Sequence, residues 1–206
     1  MGTVTEIPEV TWTHKWLFDI LERIPVDTRS LIDAGCGRGV IGALVRIYRN
    51  PKRLVGIDAF QPYLDFCRYH NFYDELYSYD LKCTPLPFDD KEFDVATCIE
   101  VVEHLPKIGG LGLLNELERI AKKVIITTPN ISFSQDTFDA NPFQQHVSCW
   151  SVKDFSKLGY QVRGVGDFVP FGRSVKYLSF FLSKFSYLIP TFSETLLAYK
   201  ICNKIR

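Results

Sequence analysis

Three glycines that follow a short apolar run place the strongest constraint on what this chain can fold into. The segment LIDAGCGRGVIG starts as a buried strand, turns at Gly35, Gly37 and Gly39, and ends where a helical pattern begins. Glycine accepts backbone angles that other residues avoid, and it lets a ligand approach the main chain. A strand, a glycine turn and a helix form the first half of a βαβ unit, so the segment predicts an α/β fold with a ligand at the turn.

The middle of the sequence repeats this alternation of strand and helix. Apolar and β-branched runs predict strands at 30–34, 53–58, 76–79, 93–99, 123–128 and 160–165, and a final antiparallel strand at 196–202. Helical spacing of apolar residues predicts helices at 12–24, 40–48, 62–70, 111–121 and 151–158.

The whole chain is predicted to form a single domain with four parts. These are an N-terminal helical segment at 1–29, a cofactor-binding core at 30–165, an apolar helical insertion at 166–194 and a final strand at 195–206. The apolar run at 177–192 is too short to span a bilayer comfortably. Burial against the sheet, a lid, a dimer face and peripheral contact with a membrane or a lipid-linked acceptor all remain open for it.

Charge and cysteine usage exclude several classes of protein. Lys and Arg together number 24, as do Asp and Glu, so no global field draws the chain to nucleic acid. The six cysteines contain no C-x-x-C pair, which favours reduced thiols over a disulfide framework or a zinc site. The N-terminal residues lack the pattern of a signal peptide, so we expect a cytoplasmic protein.

The spacing of the glycines argues against a dinucleotide site. The dinucleotide fingerprint G-x-G-x-x-G would place its third glycine at position 40, where this chain has Val40. The spacing is instead D-x-G-x-G-x-G, beginning at Asp33. A carboxylate beside the loop would repel a pyrophosphate, whereas it would suit a ligand that carries a cationic ammonium and a sulfonium. A nicotinamide oxidoreductase is therefore not expected.

A second acidic residue, Asp58, ends the next predicted strand in RLVGID. Its carboxylate can accept both hydroxyls of a ribose, as an acidic residue about 20 positions after the glycines does in dinucleotide folds. A strand-end Asp can also cap a following helix, and FQPYLDF has the pattern of a helix start. Because Asp58 follows the loop at the expected spacing, ribose binding is the favoured interpretation.

Four segments in order resemble the motif series of the class I S-adenosylmethionine-dependent methyltransferases. They are LIDAGCGRG, VGID, YDLKCTPLPFDDKEFDVATCIEVVEHL and VIITTPN, and the resemblance covers about residues 30–165. It implies a Rossmann-like, doubly wound α/β fold, whose seven-stranded sheet is mostly parallel with one antiparallel strand and has helices on both faces. It also implies S-adenosyl-L-methionine as the cofactor and S-adenosyl-L-homocysteine as the product.

The resemblance assigns cofactor contacts residue by residue. The glycine loop would hold the methionine part, Asp58 the ribose and Asp80 the adenine amino group. The cofactor-binding residues that it implies are Asp33, Gly35, Cys36, Gly37, Asp58, Ala59, Asp80, Leu81 and Cys98.

The segment CIEVVEHL follows the fourth predicted strand, at the edge of the sheet where α/β folds bind ligands. If residues 100–104 form a helical turn, Glu100, Glu103 and His104 share one face. A carboxylate beside His104 would orient the imidazole and make it more basic, which suits a general base. His146, after the fifth strand, could swing over the same pocket. The candidate catalytic residues are therefore His104, Glu103 and His146, unless Glu103 and His104 merely cap and solvate a loop.

The same residues allow a metal-binding alternative. E-x-x-E-H with a distal His resembles the divalent-metal site of the small-RNA terminal 2′-O-methyltransferases, and E-V-V-E-H-L also resembles the ubiquinone-pathway O-methyltransferases. In that alternative Glu100, Glu103, His104 and His146 would hold a divalent metal that lowers the pKa of an acceptor hydroxyl. The pattern lacks the short spacing of strong metal motifs, so no metal site is expected.

The sequence therefore predicts a methyltransferase that acts on an oxygen of a small-molecule, glycan or lipid-linked acceptor. A metal-assisted RNA 2′-O-methyltransferase and a non-catalytic cofactor-binding module are the alternatives. RNA binding normally comes with a basic surface, and the balanced charge of this chain argues against it.

Overall fold

The computed structural model describes residues 16–130, 140–168 and 187–202. The helices are α1 (Leu17–Arg23), α2 (Val40–Tyr48), α3 (Gln61–His70), α4 (Lys107–Ile120) and α5 (Val152–Lys157). The strands are β1 (Ser30–Ala34), β2 (Arg53–Asp58), β3 (Glu75–Ser78), β4 (Phe93–Ile99), β5 (Ala121–Pro129), β6 (Gln161–Phe168) and β7 (Ser193–Ile201). Short 3₁₀ turns lie at Val102–His104, Pro142–Gln144 and Pro190–Phe192.

The strands form one sheet in the order β3-β2-β1-β4-β5-β7-β6. The first five strands of that order run parallel to one another, and β7 is antiparallel to both β5 and β6. The predicted seven-stranded sheet with one antiparallel strand is therefore confirmed.

Both faces of the sheet are covered by helices, because the central strands alternate buried side chains towards two separate cores. In β1, Ile32 packs into the core beneath α4 and α5, whereas Leu31 packs into the core beneath α1, α2 and α3. The first core is built around Leu113 and Phe155, and the second around Val45. Strands buried on both faces need apolar residues at nearly every position, which is the pattern from which the strands were predicted.

The order of the strands positions the ligand site. From β1 the chain moves first outwards to β2 and β3, and then returns to β4 on the other side of β1. Neighbouring loops at the carboxyl ends of β1 and β4 therefore diverge, and the crevice between them is where open α/β sheets bind ligands.

Several predicted boundaries differ from the structure. Residues 12–15 of the predicted leading helix lie outside the described residues, and α1 begins at Leu17. The predicted apolar insertion at 166–194 is partly wrong, since β6 continues to Phe168 and β7 begins at Ser193. Most of its 177–192 run lies outside the described residues. Among the helices that the structure describes, none has the length and apolar character needed to cross a bilayer.

Candidate functional site

The glycine loop between β1 and α2 forms the floor of the crevice. All three of its glycines have positive φ, at 75° for Gly35, 51° for Gly37 and 79° for Gly39. The backbone N–H groups of Gly35 and Cys36 both donate to the carbonyl of Ile57, over 2.8 and 3.1 Å. These two backbone bonds tie the loop to the end of β2.

Two of these glycines differ in what surrounds them. A Cβ on Gly35 would lie 2.4 Å from Cγ2 of Val101, so Gly35 is packed closely against the Val101 side chain. A Cβ on Gly37 would meet no heavy atom of the described residues within 4 Å. Gly37 therefore faces open space at the carboxyl edge of the sheet, as a residue that lies against a bound ligand must.

Asp58 is held at the rim of this space by the backbone. Its Oδ2 accepts from the N–H of Gly37 over 2.9 Å, and its Oδ1 accepts from the N–H of Phe60 over 2.8 Å. Burial raises the pKa of the Asp58 carboxyl, while these N–H donors act to lower it. Each oxygen keeps a second lone pair, so the carboxylate can still accept hydroxyl groups. Its predicted role in ribose binding stays a prediction, supported by this position.

Asp33 occupies a different place from the one predicted. Its side chain is turned into the interior beneath the loop, with an exposed fraction of 1%. Tyr73 and Thr97 each donate a hydroxyl to one of its oxygens over 2.7 Å, and burial raises its pKa to about 6. Because both oxygens are engaged inside the protein, the expectation that this carboxylate lies beside a cationic ligand is not met. Asp33 instead supports the loop from below.

Tyr73 is a structural partner that the sequence reasoning missed. Its hydroxyl accepts from the N–H of Gly42 over 3.2 Å while it donates to Asp33. It thereby connects β1 to the first turn of α2. No pattern near Tyr73 indicates this, because its partners lie about 30 and 40 positions earlier in the chain.

The other predicted cofactor residues divide by exposure. Ala59 and Asp80 are half-buried, and Oδ1 of Asp80 accepts from the N–H of Lys82 over 2.9 Å. Leu81 and Cys98 are buried in the core beneath α4, so only their backbone can meet a ligand in this conformation. Cys36 is also buried, although it lies in the loop itself. All six cysteines are free thiols, as predicted.

A compact group of titratable side chains lies beyond the end of β4. The ligand atoms of Glu103, His104 and His146 all lie within 4.8 Å of one another. The rings of the two histidines have their centres 4.9 Å apart. We call these three residues the Glu–His–His cluster. The structure thus brings together the three candidate catalytic residues, whose chemical roles remain predictions.

The segment that carries His146 is clamped onto the 3₁₀ turn that carries Glu103 and His104. The N–H groups of Val147 and Ser148 donate to the carbonyl of Glu103 over 2.9 and 3.0 Å. The indole Nε1 of Trp150 donates to the carbonyl of Val102 over 3.1 Å. Trp150 is buried and stacks on Phe155, so it anchors this segment in the core.

Burial dominates the electrostatics of the Glu–His–His cluster. Oε2 of Glu103 accepts from the hydroxyl of Thr128 over 3.0 Å, whereas its Oε1 is buried and has no partner among the described residues. Burial, followed by the charge of Glu100, raises the pKa of Glu103 well above its usual value. A buried carboxylate with an unused oxygen requires a proton, a cation or a hydrogen-bond donor to stabilise it.

The protonation of His104 is set by its surroundings. Its Nδ1 lies 3.2 Å from the carbonyl oxygen of Gln145, which can only accept. The neutral ring therefore carries its proton on Nδ1 and its lone pair on Nε2. Burial, together with the neighbouring His146, lowers the pKa of His104. The expectation that a carboxylate makes this imidazole more basic is therefore wrong, and His104 is neutral near pH 7.

Glu100 does not share a helical turn with the cluster. Its φ is 54°, and its N–H points back to Thr127, donating to the carbonyl over 3.1 Å. Burial, with a smaller effect from the charge of Glu194, raises the pKa of Glu100 to about 7, although a hydrogen bond from Thr127 acts to lower it. The prediction that Glu100, Glu103 and His104 share one helical face is therefore wrong, because the 3₁₀ turn begins at Val102 and excludes Glu100. Glu194, on β7, is a neighbour that the sequence reasoning missed.

Comparisons with known proteins agree with this geometry. Residues 32–124 match the family model described as a methyltransferase domain. The chain is 30% identical over 123 residues to a bifunctional methionine biosynthesis protein MetXA/MetW of Rhodopirellula baltica, which is 56% of this chain and 19% of that protein. It is 30% identical over 89 residues to a ubiquinone biosynthesis O-methyltransferase of Hahella chejuensis, which is 41% of this chain and 36% of that protein. The chain thus spans well under half the length of these curated relatives.

A solved structure extends the similarity to nearly the whole chain. The methyltransferase domain of a bacterial protein, CtHen1-CN, superposes with a TM-score of 0.58 at 21% identity, covering 89% of this chain and 94% of that domain. At this identity the likeness concerns the fold alone.

Proposed function

We propose that this chain, which belongs to the class I S-adenosylmethionine-dependent methyltransferase family, transfers the methyl group of that cofactor to an oxygen of its acceptor. The observation that carries the proposal is the position of the Glu–His–His cluster, just beyond the end of β4 and next to the strand that begins the glycine loop. A single crevice thereby combines a cofactor site with groups able to bind and deprotonate a hydroxyl.

The residues around the glycine loop fit the cofactor. Gly37 leaves open space where a Cβ would otherwise project, and Asp58 stands at the rim of that space with lone pairs to spare. The half-buried Asp80 follows β3, and the resemblance to the family assigns it to the adenine amino group. The cofactor, when bound, supplies a methyl group that its sulfonium makes electrophilic.

The chain itself has to orient the acceptor and remove its proton. Holding the acceptor oxygen in line with the methyl group makes the reaction occur within one complex instead of between two free molecules. This positioning removes a large part of the activation barrier. His104 and His146 can accept the hydroxyl proton as the new carbon–oxygen bond forms. Glu103 can hold a hydroxyl hydrogen through its unpartnered oxygen, or balance the charge that an imidazole gains.

A small-molecule, glycan or lipid-linked acceptor is the class that we propose. The chain carries as many acidic as basic residues, so its overall charge offers no attraction to a polyanion such as RNA. The similarity to a ubiquinone biosynthesis O-methyltransferase also supports methylation of oxygen on a small molecule.

A metal-assisted version of the same reaction is the second candidate, and one observation favours it. The Glu–His–His cluster offers one carboxylate and two imidazoles at a mutual distance suited to a single ion, and Glu103 lacks a counter-charge among the described residues. A divalent ion there would be held by Glu103, His104 and His146, and it would lower the pKa of a bound hydroxyl. Two imidazoles favour manganese or zinc over magnesium, which prefers oxygen ligands.

Methyl transfer is tested with labelled S-adenosylmethionine and a panel of catechols, phenols, sugars, lipid-linked hydroxyls and short RNAs. With a productive acceptor, Glu103→Gln and His146→Gln should each lower kcat by about 10²-fold or more, the usual contribution of a positioned acid or base. Their affinity for S-adenosylhomocysteine should remain that of the wild type. His70→Gln, on the exposed end of α3, is the matched control and should keep full activity.

Two results would contradict the proposal. Full activity in both cluster variants would show that the chemistry lies elsewhere. Activity confined to nitrogen or carbon acceptors would show that the acceptor atom is wrong.

The metal is tested separately by isothermal titration of chelator-treated protein with manganese, zinc and magnesium. Binding of one ion that is lost in His104→Gln and His146→Gln would support the metal-assisted reaction. Absence of binding, with activity indifferent to chelator, would remove the metal and leave the imidazole as the base.

A further inference from the structure

A group of cationic side chains lies on the face of the sheet covered by α1, away from the crevice. Arg23 ends α1, Lys123 lies near the start of β5, and Arg163 lies near the start of β6. Arg23 and Lys123 approach the ring of Tyr199, with 5.1 and 5.9 Å between the cationic atoms and the ring centre. Arg23 and Arg163 approach the ring of Tyr187, at 5.9 and 5.1 Å. We call these five residues the basic cluster.

The register of the sheet explains why these side chains meet. Tyr199 is paired with Ile125, so it points to the same face as Lys123 two positions earlier on β5. Arg163 is paired with Leu197, two positions before Tyr199, and so points to that face as well. The alternation of side chains along each strand thus directs both cations and the aromatic ring beneath the end of α1.

The cations of the basic cluster have no acidic partner in the part of the chain that the structure describes. Several other basic residues are paired with carboxylates, among them Lys122 with Asp94 at 2.8 Å and Arg46 with Asp74 at 2.9 Å. For Arg23, Lys123 and Arg163, no carboxylate lies within ion-pair distance among residues 16–130, 140–168 and 187–202.

Asp19 is the carboxyl whose pKa the charge of Arg23 affects. It lies one turn earlier on α1, and burial together with Glu22 raises its pKa despite the opposing effect of Arg23. It forms no ion pair with Arg23 among the described contacts, so it does not neutralise the basic cluster.

The guanidinium groups are also incompletely hydrogen-bonded. The Nε atoms of Arg23 and Arg163 are both buried and have no acceptor among the described residues. Arg23 uses Nη2 to donate to the hydroxyl of Tyr187 over 2.8 Å, and Arg163 uses Nη1 to donate to the carbonyl of Val162 over 3.2 Å. Buried donors are nearly always paired in native proteins, so two unpaired ones on neighbouring cations point to an acceptor that is not part of these residues.

Like charges held together without an anion are costly. Burial, followed by the charge of Arg23, lowers the pKa of Lys123. A hydrogen bond from Arg163, with the charge of Arg23, lowers the pKa of Tyr187. Residues 169–186 contain Arg173, Lys176 and Lys184 but no Asp or Glu, and residues 203–206 add Lys204 and Arg206, whereas residues 1–15, before α1, contain Glu6 and Glu9.

We propose that Arg23, Lys123 and Arg163 form a binding site for a phosphate group, separate from the methyl-transfer crevice. Three positive charges match a doubly charged anion, and planar guanidinium groups match phosphate oxygens in geometry. The rings of Tyr187 and Tyr199 border the same space. From Lys123 to Thr128 at the crevice the strand advances about 17 Å, at about 3.3 Å per residue. The ligand is therefore not the cofactor or the acceptor oxygen.

The test compares phosphate binding by the wild-type chain with binding by variants of Lys122, Lys123 and Arg163. Inorganic phosphate and pyrophosphate are titrated at constant ionic strength set with chloride, and binding is followed by calorimetry and two-dimensional NMR. Lys123→Gln and Arg163→Gln should each weaken phosphate binding at least about tenfold, the effect of losing one charge-assisted hydrogen bond. Lys122→Gln is the matched control, since Lys122 points to the opposite face and pairs with Asp94.

A second arm distinguishes the source of the phosphate. Vesicles of phosphatidylglycerol and of phosphatidylcholine are sedimented with each protein. If the wild-type protein sediments with phosphatidylglycerol vesicles only, and Lys123→Gln and Arg163→Gln sediment less, the phosphate belongs to a lipid headgroup. Binding of pyrophosphate without retention on either vesicle assigns it to a free phosphorylated molecule.

The outcome that overturns the proposal is equally definite. Equal phosphate affinity in the wild type, Lys122→Gln, Lys123→Gln and Arg163→Gln, or no binding by any of them, would show that the basic cluster holds no such anion. Urea unfolding in phosphate-free buffer checks that each variant is folded. Saturating S-adenosylhomocysteine should leave phosphate affinity unchanged, which separates this site from the crevice.

Discussion

The open space beside Gly37 gives the most direct test of where the cofactor binds. In Gly37→Ala the new methyl group meets no atom of the described residues within 4 Å, so the cost to the ligand-free protein is that of a non-glycine residue at a φ of 51°. We expect the free energy of unfolding to fall by about 1–2 kcal/mol, the penalty for left-handed backbone at an ordinary residue. The same methyl group projects into the space assigned to the cofactor, so affinity for S-adenosylhomocysteine should fall at least about tenfold, or about 1.4 kcal/mol.

Two matched variants separate the effect on the ligand from the effect on the backbone. Gly159→Ala, with a φ of 83° and its nearest contact at 3.6 Å on Lys200, should lose similar stability and keep its affinity. Gly35→Ala would bring the methyl group to 2.4 Å from Cγ2 of Val101, so overpacking adds to the backbone penalty and the loss should reach about 2–5 kcal/mol.

Urea unfolding without ligand measures the three stabilities, and isothermal titration with S-adenosylhomocysteine measures the affinities. If Gly37→Ala binds S-adenosylhomocysteine as tightly as Gly159→Ala does, the open space beside the loop is not where the cofactor lies. If Gly35→Ala is no less stable than Gly37→Ala, the contact with Val101 does not constrain the loop as described.

Three further predictions follow from the contacts of single residues. Asp58→Asn should lower the affinity for S-adenosylhomocysteine by about 30- to 150-fold, because about 2–3 kcal/mol of hydrogen bonding to a charged group is lost. Calorimetry should show no change in affinity for Asp65→Asn, whose side chain is exposed. Because burial raises the pKa of Asp33 to about 6, the native state holds a proton that the unfolded state has already lost between about pH 4 and 6, so this carboxyl lowers stability as pH rises. In urea unfolding, the difference in the free energy of unfolding between pH 4 and pH 7 should change by about 3 kcal/mol in Asp33→Asn. An identical pH profile in the wild type and Asp33→Asn would refute the burial argument. Trp150→Phe removes a donor to the carbonyl of Val102 and should cost about 1–2 kcal/mol, with a fall in kcat; unchanged kcat would show that the 3₁₀ turn does not need this anchor.

Local patterns in the sequence were sufficient to predict the sheet and the place of the cofactor loop. The strand at Ser30–Ala34, the glycine loop and the helix at Val40–Tyr48 appear with the predicted bounds. Alternating strands and helices then require a parallel sheet, because each helix must bury its apolar face against the strands beside it. The ends of the 166–194 segment were less predictable, since its apolar composition suits a strand as well as a helix.

The direction of individual side chains depended on packing that no short segment contains. Asp33 has the position in the sequence of a cofactor residue, yet it is turned inwards because Tyr73 and Thr97 supply hydroxyl donors beneath the loop. Glu100 has helical spacing to Glu103, yet its backbone is left-handed because Thr127 on β5 holds its N–H. In both cases the decisive partner lies more than 20 positions away.

What the sequence alone determined is the set of chemical groups at the ends of the strands: glycines that permit the turn, an acid after β2, and a carboxylate beside an imidazole after β4. What only the tertiary structure decided is which of these groups meet. The segment ending at Trp150 brings His146 to Glu103, and the pairing of β5, β6 and β7 brings Lys123 and Arg163 beneath Arg23. The reason is physical: turn and strand formation depend on neighbouring residues, whereas the meeting of distant side chains depends on how the sheet and its helices pack.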